Sequence, residues 1–164
     1  MSESKLSFSK YEAQDFDSYY SIVKQDDVMR YISGKGLTVG QARAKFLSIL
    51  EQGAEEAPLG YFKVYREDGA LIGDCKLVQY KHDPSLLEIG YILKPEYWGK
   101  GYGTIIGQKM LALAAEIAPS KDIIGLIDPD NKASKRLLEK FGFTTCFLGI
   151  EDDLPTEKLM LKRS

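Results

Sequence analysis

The 164-residue sequence has little of what several classes of protein require. It contains two well-separated cysteines without a CxxC pair and a single histidine, so neither a disulfide scaffold nor a metal site is expected. It has no run of lysines and arginines, and its net charge of −2 does not favour a nucleic-acid partner. Internal repeats and low-complexity segments are also missing.

Long apolar runs are missing as well. The first residues, MSESKLSFSK, alternate polar and apolar side chains and lack the apolar centre of a signal peptide. The most apolar helix-like segment, MLALAAEIA, is short and contains Glu116, so no membrane-spanning helix is predicted. We therefore expect a cytoplasmic protein without a membrane partner, folded as one domain over residues 1–164.

The periodicity of apolar residues changes along the chain. KLSFSKYE alternates like a strand, two short helical pieces follow, and Thr38 is predicted to cap a longer amphipathic helix. A meander of three strands comes next, and the chain then alternates helix and strand before a final hairpin. This order predicts an α+β fold, a mixed antiparallel and parallel twisted sheet flanked by helices, and not a doubly wound Rossmann domain.

The stretch EYWGKGYGT places Gly99, Gly101 and Gly103 where a predicted strand ends and a helix begins. Glycines at a helix N-terminus let an anion such as pyrophosphate approach unpaired backbone N–H groups. The stretch does not match a Walker A loop, since Lys100 is followed by glycine, and it contains neither a GxGxxG fingerprint nor the ribose-binding acid that should follow one. A tight turn without a ligand is the alternative.

Three segments in this sequence resemble the GNAT superfamily of N-acetyltransferases. LEIGYILKPEYWGKGYGTIIGQKML resembles the family's acyl-CoA-binding motif, with Trp98 in place of the usual Gln or Arg at its first anchor. YWGKGYG is similar to the RimJ/RimL-like branch, whose members acetylate ribosomal-protein N-termini and small amines. DPDNKASKRLLEKFGF resembles the family's Asn-x-x-Ser…Gly-Phe segment, and DDVMRYISG resembles the branch's N-terminal region. The resemblance implies a GNAT fold and an acetyl-CoA-dependent enzyme without a metal.

The same resemblance implies how coenzyme A is held. Backbone N–H groups of the glycine stretch would bind the pyrophosphate, and the pantetheine arm would pair with the preceding strand as an added strand does. Asn131 matches the family asparagine that bonds the acyl-CoA arm, although Asn also suits a helix N-cap. The implied coenzyme-binding residues are Tyr91, Ile92, Leu93, Trp98, Gly99, Lys100, Gly101, Tyr102, Gly103, Thr104 and Asn131.

The expected chemistry is direct attack of a primary amine on the thioester within a ternary complex, with a general base and a proton donor. Many family members use a tyrosine seven residues after the asparagine as donor, and here that position is Leu138. Ser134 is the substitute that the resemblance implies, and an ordinary helix-surface serine is the alternative. Glu88 is the predicted base, because an acid within an apolar strand is unusual; an exposed structural residue is the alternative.

The acceptor amine belongs to a protein N-terminus or a small molecule, and the overall acidity leans slightly towards a cationic small molecule. Candidate substrate-binding residues are Arg30, Tyr31, Asp74 and Asp128. Leu138 leaves open a non-catalytic acyl-CoA-binding module. A homodimer formed through the C-terminal hairpin that contains EKLMLKR is also open.

Several other residues are expected to be structural. Cys75 and Cys146 are predicted to fill the core, and His82 is predicted to be a solvated loop residue. The aromatic stripe from Tyr11 to Tyr20 is predicted to pack in the core as well, and not to form a substrate cage.

Overall fold

The computed structural model describes residues 5–163. Strands and helices alternate broadly as the periodicity predicts, and two short 3-10 turns, Ala13–Asp15 and Pro95–Tyr97, connect them. The strands are β1 (Leu6–Lys10), β2 (Gly60–Arg66), β3 (Leu71–Tyr80), β4 (Asp83–Leu93), β5 (Ile123–Ile127), β6 (Thr144–Glu151) and β7 (Leu154–Leu161). The helices are α1 (Phe16–Val23), α2 (Asp26–Met29), α3 (Val39–Glu55), α4 (Tyr102–Ile117) and α5 (Lys132–Lys140).

The strands form one mixed sheet in the order β1-β2-β3-β4-β5-β7-β6. Strands β4 and β5 are parallel, and the other neighbours are antiparallel. A parallel pair needs a crossover connection, and α4 supplies it. The predicted mixed sheet flanked by helices is confirmed.

The two faces of the sheet carry separate cores. On one face, which we name the α4 face, Cys75, Leu77 and Leu93 pack with Ile106 and Met110 of α4. Helix α5 covers the same face, because its Leu138 and Phe141 pack against this cluster. The opposite face, the α3 face, lies under α1, α2 and α3, whose residues form an aromatic-rich core. Because side chains alternate along a strand, neighbouring residues of β3 and β4 point to opposite faces.

The aromatic stripe forms part of the α3-face core, as predicted. Tyr11 and Tyr19 are buried with ring centroids 5.6 Å apart, and both contact Phe46 of α3. Helix α3 begins at a capping box in which Thr38 accepts from the N–H of Gln41, which confirms the predicted cap.

Two sequence-based expectations need correction. Cys75 is buried, but Cys146 is exposed, because it lies where the register between β6 and β7 shifts at the edge of the sheet. The strand EKLMLKR lies inside the sheet between β5 and β6, so the free edge of the C-terminal hairpin belongs to β6. In residues 5–163, no helix combines the length and the apolarity needed to cross a membrane.

Candidate active site

Strands β4 and β5 separate towards their carboxyl ends. Their parallel register ends where Ile89 lies opposite Gly125, whereas β4 continues to Leu93. Strand β3 remains paired with β4 up to Leu93 on the other side. Within the described residues, the last four residues of β4 thus leave their β5-facing edge without a strand partner. Such an edge suits an extended ligand that carries amide groups.

The glycine loop, residues 98–104, follows β4 and leads into α4. Gly99 and Gly101 have φ angles of 70° and 84°, in the left-handed region that favours glycine. A Cβ at either position would meet no described atom within 4 Å apart from its chain neighbours, so backbone conformation selects glycine there.

The N-terminus of α4 differs from those of two other helices. Thr38 caps α3 and Asn131 caps α5 through side-chain oxygens, whereas the cap residue of α4 is Gly101, which offers no such bond. The first N–H groups of α4 are therefore available to an anion, which the positive end of the helix dipole also attracts.

Gly103 is a glycine for another reason. A Cβ at this position would lie 3.1 Å from the hydroxyl oxygen of Tyr91 and 3.2 Å from Cδ2 of Leu137. Its lack of a side chain therefore lets α4 approach β4 and α5 closely. Of the three glycines, two set the conformation of the loop and the third sets its packing.

Trp98 fastens the loop to the strand. Its indole Nε1 donates to the carbonyl oxygen of Leu93 at 2.8 Å, while half of the side chain stays exposed. The residue that stands in place of the motif's Gln or Arg thus closes the turn after β4. Lys100 lies exposed in the same loop.

Arg66, at the end of β2, lies beside this loop and was not predicted as a site residue. Its guanidinium stacks 5.2 Å from the ring centroid of Tyr97 and hydrogen-bonds Tyr102, besides its ion pair with Asp68. A positive charge next to an uncapped helix N-terminus strengthens an anion site. The strand pattern of β2 gives no signal for this role, because the contact joins residues more than 30 positions apart in the sequence.

Tyr91 and Ser134 meet between β4 and α5. Burial raises the pKa of the Tyr91 phenol, and a hydrogen bond with Ser134 opposes that rise without cancelling it. Ser134 lies in the first turn of α5, where its N–H donates to Oδ1 of Asn131 at 3.2 Å. Asn131 is therefore an N-cap, and this bond does not use its amide nitrogen. The structure joins three of the predicted site residues here.

Leu138, at the position of the usual tyrosine donor, faces the sheet. Its Cδ1 would lie 2.9 Å from a Cβ at Gly125 of β5, and the side chain packs against the α4-face core. This position is a packing site in the protein, and a leucine side chain offers no proton to donate.

Glu88 lies on the α3 face and is paired with a lysine. Its Oε2 is 2.7 Å from Nζ of Lys76, and the two side chains retain 15% and 26% of their accessible surface. The register explains the pair: Glu88 lies opposite Val78, and Lys76 is two residues further along β3 on the same face. Gly90 and Ile92 share this face with Glu88, because side chains alternate along the strand. Lys76 was not predicted as a site residue.

Asp74 is buried on the same face and accepts a hydrogen bond from the hydroxyl of Tyr11 at 2.7 Å. Burial raises the pKa of this carboxyl to about 7, while the Tyr11 bond and the charges of Lys76 and Lys45 hold it lower than burial alone would. This predicted substrate-binding residue is thus enclosed by the α3-face core.

The other predicted substrate-binding residues lie apart. Asp128 closes the turn after β5, accepting from the N–H of Asp130 at 2.8 Å. Arg30 and Tyr31 follow α2 on the surface, where the guanidinium lies 5.5 Å from the ring centroid. These contacts give Asp128 a local structural role and leave the acceptor roles of all three as predictions.

His82 is exposed, as expected, but it is not alone. Its Nε2 lies 3.2 Å from Glu151, and one ligand atom each from His82, Glu151 and Asp152 lies within 4.8 Å of the others. Lys158 pairs with Glu151 and Lys81 with Asp152, so lysines already neutralise both acids. The group joins the β3–β4 turn to the tip of the β6–β7 hairpin.

Comparison with known proteins gives a family and a fold. Residues 5–144 match the sequence model of a family described as "Acetyltransferase (GNAT) domain". The uncharacterized N-acetyltransferase YnaD of Bacillus subtilis (strain 168) is 27% identical over 138 residues, covering 84% of this chain and 78% of the relative.

Solved structures share the architecture at low identity. A spermidine N-acetyltransferase from Vibrio cholerae, in complex with CoA and spermine, superimposes with a TM-score of 0.78 at 17% identity, covering 96% of this chain and 95% of that one. A GNAT-family acetyltransferase from Bacillus anthracis gives a TM-score of 0.74 at 22% identity, covering 96% and 94%. These likenesses concern the fold.

Proposed function

Because the chain belongs to the GNAT acetyltransferase family, we propose that it transfers acetyl from acetyl-CoA to a primary amine, on a small molecule or a protein N-terminus. The observation that carries this proposal is the opening between β4 and β5, directly before a loop with two left-handed glycines and an uncapped helix. Together they offer a strand edge for amide groups and N–H groups for phosphates.

In this proposal the coenzyme is held mainly by backbone. The N–H groups of residues 98–104 bind the pyrophosphate, with Lys100 and Arg66 adding positive charge. The free edge of residues 91–93 bonds the amides of the pantetheine arm. The amide nitrogen of Asn131 is left to donate to the same arm while its oxygen caps α5.

The transfer joins the amine nitrogen to the acetyl carbon and breaks the bond between that carbon and sulfur. Glu88 accepts the proton that the amine loses, directly or through a water, and Ser134 gives a proton to the departing thiolate. Tyr91 keeps the hydroxyl of Ser134 in place. A thiol pKa of about 8.5 makes the thiolate a tolerable leaving group, so the missing tyrosine at position 138 is no obstacle.

An acyl-CoA-binding module without catalysis is the second candidate, and the packing role of Leu138 favours it. The two proposals share the coenzyme site and differ at the amine. Only an enzyme would release free CoA faster when an acceptor amine is added.

Finer points of the assignment also stand as proposals. The YWGKGYG form and the Ser134 position support a RimJ/RimL-like member. A cytoplasmic location and a single domain over residues 1–164 belong to the same proposal. Strand β6 supports a homodimer, because it forms an edge of the sheet and exposes Leu148 and Ile150 at 66% and 67%.

The test begins with ligand-dependent melting in acetyl-CoA, CoA, ATP and NAD. A ligand at a hundred times its Kd adds about 2.7 kcal/mol to stability, a shift of roughly 5–10 °C for this chain length. We expect the two CoA compounds to produce that shift and ATP and NAD to produce none. Trp98 is the single tryptophan and lies in the glycine loop, so its fluorescence should change on the same titration.

The second step measures thiol release from acetyl-CoA with a panel of amines. Amine-dependent release supports the enzyme. Coenzyme binding without release for any amine class supports the binding module, and stabilisation by ATP or NAD alone would remove the proposed coenzyme site.

A further inference from the structure

The pair of Lys76 and Glu88 occupies an unusual place for two charges. Both side chains rise from the centre of the sheet, between strands that are paired on both sides, yet both reach water. Their charged atoms lie 2.7 Å apart on the α3 face, the face away from α4 and the glycine loop. Any acceptor that uses Glu88 as its base therefore arrives beside the ammonium of Lys76.

A second ammonium lies beside the same aromatic ring as the ammonium of Lys76. Nζ of Lys45, an exposed residue of α3, is 5.6 Å from the ring centroid of Tyr61, and Nζ of Lys76 is 5.7 Å from the same ring. Burial lowers the pKa of Lys76, but Tyr61 and Glu88 raise it beyond that loss, so the ammonium stays charged. The ring of Tyr61 thus has two full positive charges beside it.

The acids near these two lysines differ in their access to water. Asp74 is buried and bonded to Tyr11, and Asp15 is paired with Lys63 at 2.7 Å. Among the described residues, Glu88 is the carboxylate that pairs with Lys76 and still reaches water. Two ammonium groups therefore face one solvent-reaching carboxylate.

We propose that the acceptor is a primary amine that also carries an anionic group, such as a carboxylate or a phosphonate. The ammonium of the acceptor takes the place of Lys76 beside Glu88, and its anion bonds the ammonium groups of Lys76 and Lys45. The ion pair opens and each partner gains a new one, so no charge is left alone. This inference rests on the proposed function.

The same arrangement disfavours an acceptor that carries only positive charge. The amine of a polyamine that approached Glu88 would bring its cation against Lys76, with no anion to offer either lysine. Like charges held together at a site select against the wrong partner. The net charge of the whole chain slightly favours a cationic acceptor, but the lysines around Glu88 favour an acceptor that also carries an anion.

The experiment compares matched acceptors by the thiol-release assay. The panel holds L-α- and β-amino acids, each beside its own carboxamide, 2-aminoethylphosphonate beside ethylamine, and spermidine. A carboxamide offers more neutral amine at a given pH than the parent acid, so a preference for the acid runs against intrinsic reactivity. We expect at least one anionic amine to exceed its matched amine without the anionic group in kcat/KM by about tenfold or more.

Substitutions of Lys76 and Lys45 assign the preference to these two lysines. Lys76→Met should bring the ratio of acid to amide close to one, and Lys76→Arg should restore most of it, because the charge returns. Lys45→Met changes an exposed helix residue, so folding is not at risk, and it should lower the ratio by a smaller factor. Lys109→Met, an exposed lysine on α4, is the matched control and should leave the ratio unchanged.

The outcomes distinguish the anionic-acceptor inference from the acetyltransferase proposal on which it rests. A higher kcat/KM for spermidine, or for the matched amines that lack an anionic group, overturns the anionic-acceptor inference and leaves the acetyltransferase proposal intact. Turnover of no amine at all, with acetyl-CoA still bound, overturns both. A ratio that Lys76→Met does not change also overturns the inference, since the preference would then arise elsewhere.

Discussion

On the α4 side of the sheet, most of the candidate ligand contacts come from one continuous piece of backbone, residues 91–104. On the α3 face they come from side chains on α3, β2, β3 and β4, among them Lys45, Tyr61, Lys76 and Glu88. A backbone site depends on conformation and tolerates many side chains, whereas a side-chain site depends on which charges meet. The first suits a coenzyme shared by a family, and the second suits an acceptor that differs between members.

The largest expected effect tests the α3 face. Glu88→Gln keeps the size of the side chain but removes the base, so we expect kcat to fall by about 10²–10⁴-fold. The affinity for acetyl-CoA should stay within about twofold, because the coenzyme contacts the other side of the sheet; steady-state kinetics and tryptophan titration measure the two quantities. Glu116→Gln, an exposed acid on α4, is the control. Full activity of Glu88→Gln would mean that Glu88 is not the base, and the α3 face would then have no assigned catalytic group.

The next effect concerns the buried acid of the same face. The pKa of Asp74 is raised to about 7 in the folded protein, against about 3.9 in the unfolded chain. Between these values the folded state holds a proton that the unfolded state has released, so the free energy of unfolding falls as the pH rises from about 4 to 7. Asp74→Asn removes this titration and keeps an oxygen for Tyr11.

As the pH rises from 5 to 8, we therefore expect the free energy of unfolding to fall less for Asp74→Asn than for the parent. The difference should be a few kcal/mol, at about 1.4 kcal/mol per pKa unit. Urea unfolding at several pH values measures the difference. Asp17→Asn, an exposed acid of α1, should follow the parent curve. Parallel curves for Asp74→Asn and the parent would mean that Asp74 does not hold its proton between pH 5 and 7, and the α3 face would then carry a second full negative charge in that range.

The contrast between the faces also explains what the sequence predicted. The β4 edge, the glycine loop and α4 follow one another in the chain, so the strand–loop–helix pattern was enough to predict their arrangement. The Lys76–Glu88 pair depends on the register between β3 and β4, and the Arg66 contact depends on how β2 lies beside the loop. Register and strand order are set by the whole sheet, and local periodicity does not contain them.

The corrected residues follow the same rule. Cys146 reads as a core residue because its strand is apolar, but the shifted register between β6 and β7 and the edge position leave it exposed. EKLMLKR reads as an edge strand of the C-terminal hairpin. In the structure it lies between β5 and β6, because β7 pairs with both of them and β6 forms the edge. Both errors concern the position of a strand in the sheet, and the strand assignments themselves hold.

A smaller effect tests the backbone site. Gly101→Ala forces a left-handed φ of 84° on a residue with a Cβ, at a cost of about 1–2 kcal/mol. If the bound loop needs this conformation, the affinity for acetyl-CoA should fall by about 5–30-fold, as isothermal titration would show. Gly40→Ala, in the first turn of α3, is the matched control and should be neutral or slightly stabilising. Unchanged affinity in Gly101→Ala would mean that side chains, and not the backbone of the glycine loop, provide most of the affinity for the coenzyme.

The smallest effect separates the loop from the strand edge that precedes it. Trp98→Phe keeps an aromatic ring but removes the N–H that donates to the Leu93 carbonyl, a bond worth about 1 kcal/mol. Because the side chain is half exposed, the melting temperature should change little, while the loop loses its attachment to β4 and the affinity for acetyl-CoA should fall about fivefold. Calorimetric titration replaces fluorescence here, since the variant has no tryptophan. An affinity that falls together with kcat for the amine would show that the loop also acts on the α3 face, whereas a fall in affinity alone keeps the two faces independent.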